Sequence, residues 1–137
     1  MNQPPFCVQI DQVGASELRG SIRSHQVTVD RPLPKGGTDL GPLGGEYLLV
    51  ALGGCFLSNL LAAARARGEE LSKTRVVVTA TTAESPPRFS GITLRVTVAL
   101  QNRDLVRKLL AIAEHACLVT NTLKAAMPIS IDVDGEP

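Results

Sequence analysis

Apolar and polar residues alternate from the start of the chain. Over 6–13, Phe6, Val8 and Ile10 fall on one face and Cys7, Gln9 and Asp11 on the other, the period-two pattern of a strand. A Gly-Ala-Ser turn at 14–16 leads to a second strand over 17–23 (ELRGSIR) and a third over 26–30 (QVTVD), which together predict an antiparallel meander. The next stretch, 31–45, is too dense in Gly and Pro to form helix or central strand and reads as a long loop. A helix is predicted from 46 to 67, stopped by Gly68, with Arg65 and Arg67 at its negative end. Two alternating strands follow over 73–83 and 91–101. In the second, Ile92, Leu94, Val96, Val98 and Leu100 share a face, and Pro86-Pro87 stiffens the connection between the two.

A second helix over 103–116 carries Leu105, Leu109, Ile112, Ala113 and Ala116 at spacings of three and four. A helical turn over 120–126 has Thr120 as its expected cap, and 129–133 (ISIDV) alternates as a closing strand. The order β-β-β-α-β-β-α-α-β groups strands into runs and gives an α+β fold with antiparallel strands around one long buried helix.

That helix holds an uncharged run over 47–64 that reaches the minimum length of a membrane span. Ser58, Asn59 and the Gly53-Gly54 pair inside it, with sheet strands on both sides, favour a core helix and no membrane. A helix apolar all round needs more cover than a small domain supplies, so a homodimer packed along it is expected.

Composition narrows the function. At 137 residues the chain fits a single domain, 1–137. Fourteen Lys and Arg against 13 Asp and Glu leave a charge of +1, without the basic excess of a nucleic-acid binder. Aromatic residues at 3% leave no base-stacking platform. Three cysteines are too few for a secreted disulfide scaffold and no signal peptide is legible, so a cytoplasmic protein with reduced thiols is expected.

Cys55 follows two glycines on the buried helix, which leaves space beside its sulfur, although free Cys often serves only as a small core residue. Cys117 ends the second helix and precedes a helical turn, a setting that favours a thiolate. If the two meet, one attacks and the other resolves the product as a disulfide. Glu46 opens the long helix, where it either complements the helix dipole or holds a cation over the sulfur. Arg19, on an early strand, is the candidate cation, or else part of a solvated face. Cys7 lies on a terminal strand with no such surroundings. His25, Glu46, Cys55, His115 and Cys117 are ligand types for zinc, but no CxxC, HxH or HExxH arranges them, and no GxSxG elbow signals a serine hydrolase.

The segments GGTDLGPLGGEYLLVALGGCF (36–56), PPRFSGITLRVTV (86–98) and AEHACLVTNTLKAAMPI (113–129) make the chain resemble the OsmC/Ohr family of thiol-dependent hydroperoxide reductases. The resemblance implies an α+β intertwined homodimer with the two long helices at its centre. It implies Cys55 as the peroxidatic and Cys117 as the resolving cysteine, with Glu46 positioning an active-site Arg whose best match is Arg19. An organic hydroperoxide would be the substrate and a dithiol, often a lipoyl group, the reductant, with no metal, flavin or haem. The chain reads Leu43-Gly44-Gly45-Glu46 where peroxidase members usually carry Asn-Pro-Glu, and Leu118 where Pro is usual. These departures mark an outlying branch. A non-enzymatic small-ligand-binding or redox-sensing protein on the same fold is the alternative.

Overall fold

The computed structural model describes residues 3–133 and divides the chain into two compact units, one up to Val50 and one from Ala51 onward. The first unit holds the meander. β1 (Gln9–Gln12), β2 (Leu18–Ile22) and β3 (His25–Val29) pair antiparallel in the order β1-β2-β3, with Gly20 opposite both Ile10 and Val27. The first strand is shorter than the alternation suggested. Phe6 and Val8 precede the paired residues, and Phe6 is exposed.

The loop after β3 is not structureless. It contains a 3-10 turn, Leu33–Lys35, and is organised from Asp30, a buried carboxylate. Asp30 accepts hydrogen bonds from the Arg31 amide (2.7 Å), the Thr38 hydroxyl (2.6 Å) and the Leu40 amide (3.1 Å), so one side chain satisfies donors across ten residues of chain. Gly41 is required where this loop passes the sheet, since a Cβ there would sit 2.5 Å from the Thr28 carbonyl oxygen.

The long helix, α1 (Gly44–Arg65), begins two residues earlier than expected, with both glycines inside it. Beyond its end Gly68 turns left-handed at φ 77° and the Glu69 amide bonds back to the Ala64 carbonyl at 3.0 Å, the glycine stop read from the sequence. By length and composition α1 would pass as a membrane span. Its inner face, however, is that of a core helix, with Leu52, Gly53, Phe56, Leu60, Ala63 and Ala64 buried.

In the second unit β4 (Arg75–Ala83) and β5 (Arg88–Thr97) form an antiparallel hairpin with Val78 opposite Leu94, and a bulge between Thr81 and Thr82. β5 starts earlier and ends earlier than expected, which shortens the turn. Its alternation holds, and Val98 just beyond it is buried. Gly53 is needed where α1 crosses β4, because a Cβ there would meet Val78 Cγ2 at 2.8 Å. What approaches the glycine pair within the unit is thus the Val78 side chain at Gly53 and not another backbone, whereas Gly54 faces open space.

α2 (Arg103–Ala116) is capped by Asn102, whose side chain accepts from the Leu105 amide at 3.1 Å. It buries Val106, Leu109 and Ala113, which with Phe56, Leu60, Ala63, Ala64, Val98 and Cys117 form the core of the second unit. Ala116, expected on that face, is exposed because the chain turns there.

Two expectations for the C-terminal segment fail. α3 (Leu118–Lys124) starts two residues before Thr120, and Cys117 rather than Thr120 caps it. Residues 129–133 form no strand and pair with nothing among the described residues, and Ile129 and Ile131 are 85% and 90% exposed. Alternation supplies a strand's faces, but a strand also needs a neighbour to satisfy its backbone, and the described chain offers none.

Candidate functional site

Cys55 and Cys117 meet in the second unit. Cys55 sits at the middle of α1, half-buried, and packs against the core that contains Cys117. Cys117 is fully buried between α2 and α3, and all three cysteines are free thiols. The chain leaves α2 at Cys117 in an extended conformation (φ −75°, ψ 110°), which aims its side chain back over the first turn of α3. Its sulfur accepts the Thr120 amide hydrogen at 3.4 Å, the place an N-cap oxygen ordinarily fills.

Burial pushes the Cys117 thiol up. Hydrogen bonds from the Thr120 side chain and amide, from the Cys55 thiol and from the Val119 amide outweigh that penalty and bring it below its ordinary value. The two cysteines are therefore neighbours, with the more accessible sulfur on α1 and the buried, amide-bonded one at the α2–α3 corner.

Asn59 completes the surroundings of Cys55. Lying four residues on, it shares the same face of α1. Its Nδ2 donates to the Cys55 carbonyl oxygen at 2.8 Å and lies 3.8 Å from Cys55 Sγ. A carbonyl only accepts, so the Asn59 atom facing it is the NH₂ group. In the sequence Asn59 stands out only as a polar interruption of an apolar helix. An amide at i+4 from a cysteine in an otherwise uncharged run was the available signal.

A cavity of about 490 Å³ adjoins the pair. Phe56, Ile92, Leu94 and Leu123 give it an apolar wall, with Thr120 and the Glu114–Lys124 ion pair as its polar side. Neither sulfur lines it, but Phe56 follows Cys55 and Thr120 is the residue bonded to Cys117.

Glu46 and Arg19 belong to the first unit. Both are exposed. Glu46 Oε1 accepts the Leu43 amide at 2.8 Å, closing the start of α1 as a first-turn acid does, and Tyr47 donates its hydroxyl to the Thr28 carbonyl at 2.7 Å. Arg19 stands on β2 between Asp11 and Thr28. Among the described residues no ion pair joins Glu46 to Arg19 and no three His, Cys, Asp or Glu side chains converge as metal ligands.

The sequence model of OsmC-like proteins matches residues 36–132. No curated protein sequence matches. Among solved structures, the chain resembles an OsmC-like protein of Mycoplasma pneumoniae at a TM-score of 0.76, with 18% identity over 90% of this chain and 89% of that one. An organic hydroperoxide resistance protein of Elizabethkingia anophelis gives 0.69 at 13% identity, covering 90% and 91%. The corresponding resistance protein of Bacillus subtilis gives 0.61 at 18% identity, covering 87% and 91%. At these identities the structural likeness speaks to the fold.

Proposed function

We propose that this chain, which belongs to the OsmC-like family, is a thiol-dependent reductase of organic hydroperoxides acting through Cys55 and Cys117. The observation that supports this most is the contact between a half-buried thiol and a buried, amide-capped one. The Cys55 thiolate attacks the terminal oxygen of the peroxide. The S–O bond forms, the O–O bond breaks, and the electron pair leaves with the alkoxide, which takes up a proton as the alcohol. Cys117 then attacks the Cys55 sulfenic acid, the S–S bond forms, and the transferred oxygen leaves as water. A dithiol such as a lipoyl group in the reducing cytoplasm restores both thiols by exchange. The first two steps use the chain's own two sulfurs, and the third takes its two electrons from the external dithiol, which leaves as a disulfide.

The apolar cavity suits the organic part of such a peroxide. Arg19 is assigned the role of steering the polar peroxide group, on the family resemblance, while Glu46 stays bonded to the Leu43 amide at the start of α1. The working form in this reading is a homodimer. Gly54 and Leu61 form a second apolar stripe on α1, away from the buried face, and Leu61 is 40% exposed. A partner's helix covers that stripe, with Gly54 permitting close approach.

Catalytic turnover tests the reading. With a dithiol present, the protein consumes many equivalents of organic hydroperoxide per subunit, and Cys55→Ser abolishes consumption while preserving the fold. A single equivalent consumed, then arrest, identifies a redox sensor instead.

A further inference from the structure

The cation expected over Cys55 is not needed for one part of the reaction, because a neutral donor is already built beside the sulfur. The Asn59 side chain is fixed by its 2.8 Å bond to the Cys55 carbonyl, so its amide cannot swing away, and the same NH₂ group holds a second hydrogen toward Sγ at 3.8 Å. That separation is long for a strong bond to sulfur itself. An oxygen one bond beyond the sulfur can approach Nδ2 at about 2.9 Å, the usual N–H···O distance.

We propose that Asn59 is a further catalytic residue, whose Nδ2 donates to the oxygen that Cys55 takes from the peroxide. The proposal rests on the hydroperoxide reading. As the S–O bond forms and the O–O bond breaks, the transferred oxygen stays on sulfur as S–OH, and Asn59 holds it. When the Cys117 sulfur attacks Cys55, the S–S bond forms and this same oxygen leaves with the S–O electron pair. The Asn59 hydrogen bond stabilises the departing hydroxide until it is protonated to water. The donor is prepaid by the helix, since i and i+4 share a face and no loop must close to position it.

The test compares two electrophiles at Cys55 in a protein carrying Cys7→Ser and Cys117→Ser, so that one thiol is read. Cumene hydroperoxide delivers an oxygen to the sulfur. Iodoacetamide delivers carbon and leaves no oxygen for Asn59 to hold. Asn59→Leu removes the amide at similar size, and Asn59→Asp keeps the shape but removes the donor, so one variant remains if the other fails to fold. The ratio of peroxide to iodoacetamide rate constants at fixed pH is expected to fall at least about tenfold in either variant, the effect of losing one hydrogen bond to developing charge. An unchanged ratio overturns the proposal, including the case in which both rates fall together and Asn59 acts only on the fold. Slow oxidation of the parent protein overturns the hydroperoxidase reading instead, while the ratio still decides Asn59.

Discussion

The sulfur of Cys117 accepts the amide hydrogen of Thr120 at 3.4 Å, so a thiol occupies the position that Ser, Thr, Asp or Asn usually takes at a helix start. This gives a buried sulfur a donor for its charged form and brings it against Cys55 from the α2–α3 corner. The resolving role assigned to Cys117 needs both properties: a sulfur that ionises, and one already next to its target.

The cap carries a pH signature. The folded thiol is held below its ordinary value of 9.0, so the folded state releases this proton before the unfolded chain does. Its contribution is complete above the unfolded value and is lost as pH falls through the folded one. Under reducing conditions, the stability difference between the parent protein and Cys117→Ala therefore grows as pH rises toward 9.0. Urea unfolding across neutral to alkaline pH measures it.

Asp30 works in the opposite pH region. Its hydrogen bond from Thr38 is the largest influence; burial opposes it, and bonds from Ser16, Leu40 and Arg31 add to the first, holding the carboxyl far below its ordinary 3.8. The stabilisation is present above that value and disappears as pH falls through the lower folded one. Asp30→Asn is expected to lower Tm by a few degrees at neutral pH and to lose less Tm than the parent on acidification, as thermal scans from pH 7 to pH 3 would reveal.

Leu109 is wholly buried in the same core cluster as Cys117 in the second unit. Leu109→Ala costs about 2–5 kcal/mol by the cavity it leaves. Denaturant unfolding gives this value directly, and a cost under about 1 kcal/mol would mean the site collapses around the smaller side chain.

Leu61→Glu separates assembly from folding. Leu61 is on the exposed stripe of α1, so a charge there spares the core. Sedimentation is expected to show a dimer for the parent and a monomer of intact helicity for the variant.

Arg19→Gln tests the steering role. Arg19 is an exposed residue of β2 and the change leaves Tm within about 1 °C, since surface substitutions of this kind move stability little. A loss of kcat/KM of about tenfold with organic hydroperoxide is expected if its charge orients the substrate.

What the sequence revealed depended on whether a feature was local. The inward set Ile92, Leu94, Val96 and Val98 was legible because strand faces follow from period two alone. The stop at Gly68 was legible for the same reason, being a single residue with a left-handed backbone. Cys117 as the cap of α3 was not, because sulfur is outside the usual capping set and the neighbouring Thr120 matched it better. The Asp30 network was hidden because its partners Thr38 and Leu40 lie inside a segment whose Gly and Pro content signalled only irregular chain. Residues 129–133 had a strand's pattern without a described neighbour to pair with. Cys55 and Cys117 were singled out by type and setting, but their contact is a product of how α1 packs on the α2–α3 corner, which no spacing of 62 residues encodes.

Cys55 and Cys117 are expected to act as one redox pair. Intact mass and peptide mapping of the reduced protein, after one equivalent of an organic hydroperoxide, test it most directly. Rapid loss of two hydrogens and a single Cys55–Cys117 link are expected, with Cys7 still titratable. Three free thiols after unfolding, with the mass unchanged, would contradict it and leave Cys55 as a core residue of a binding protein.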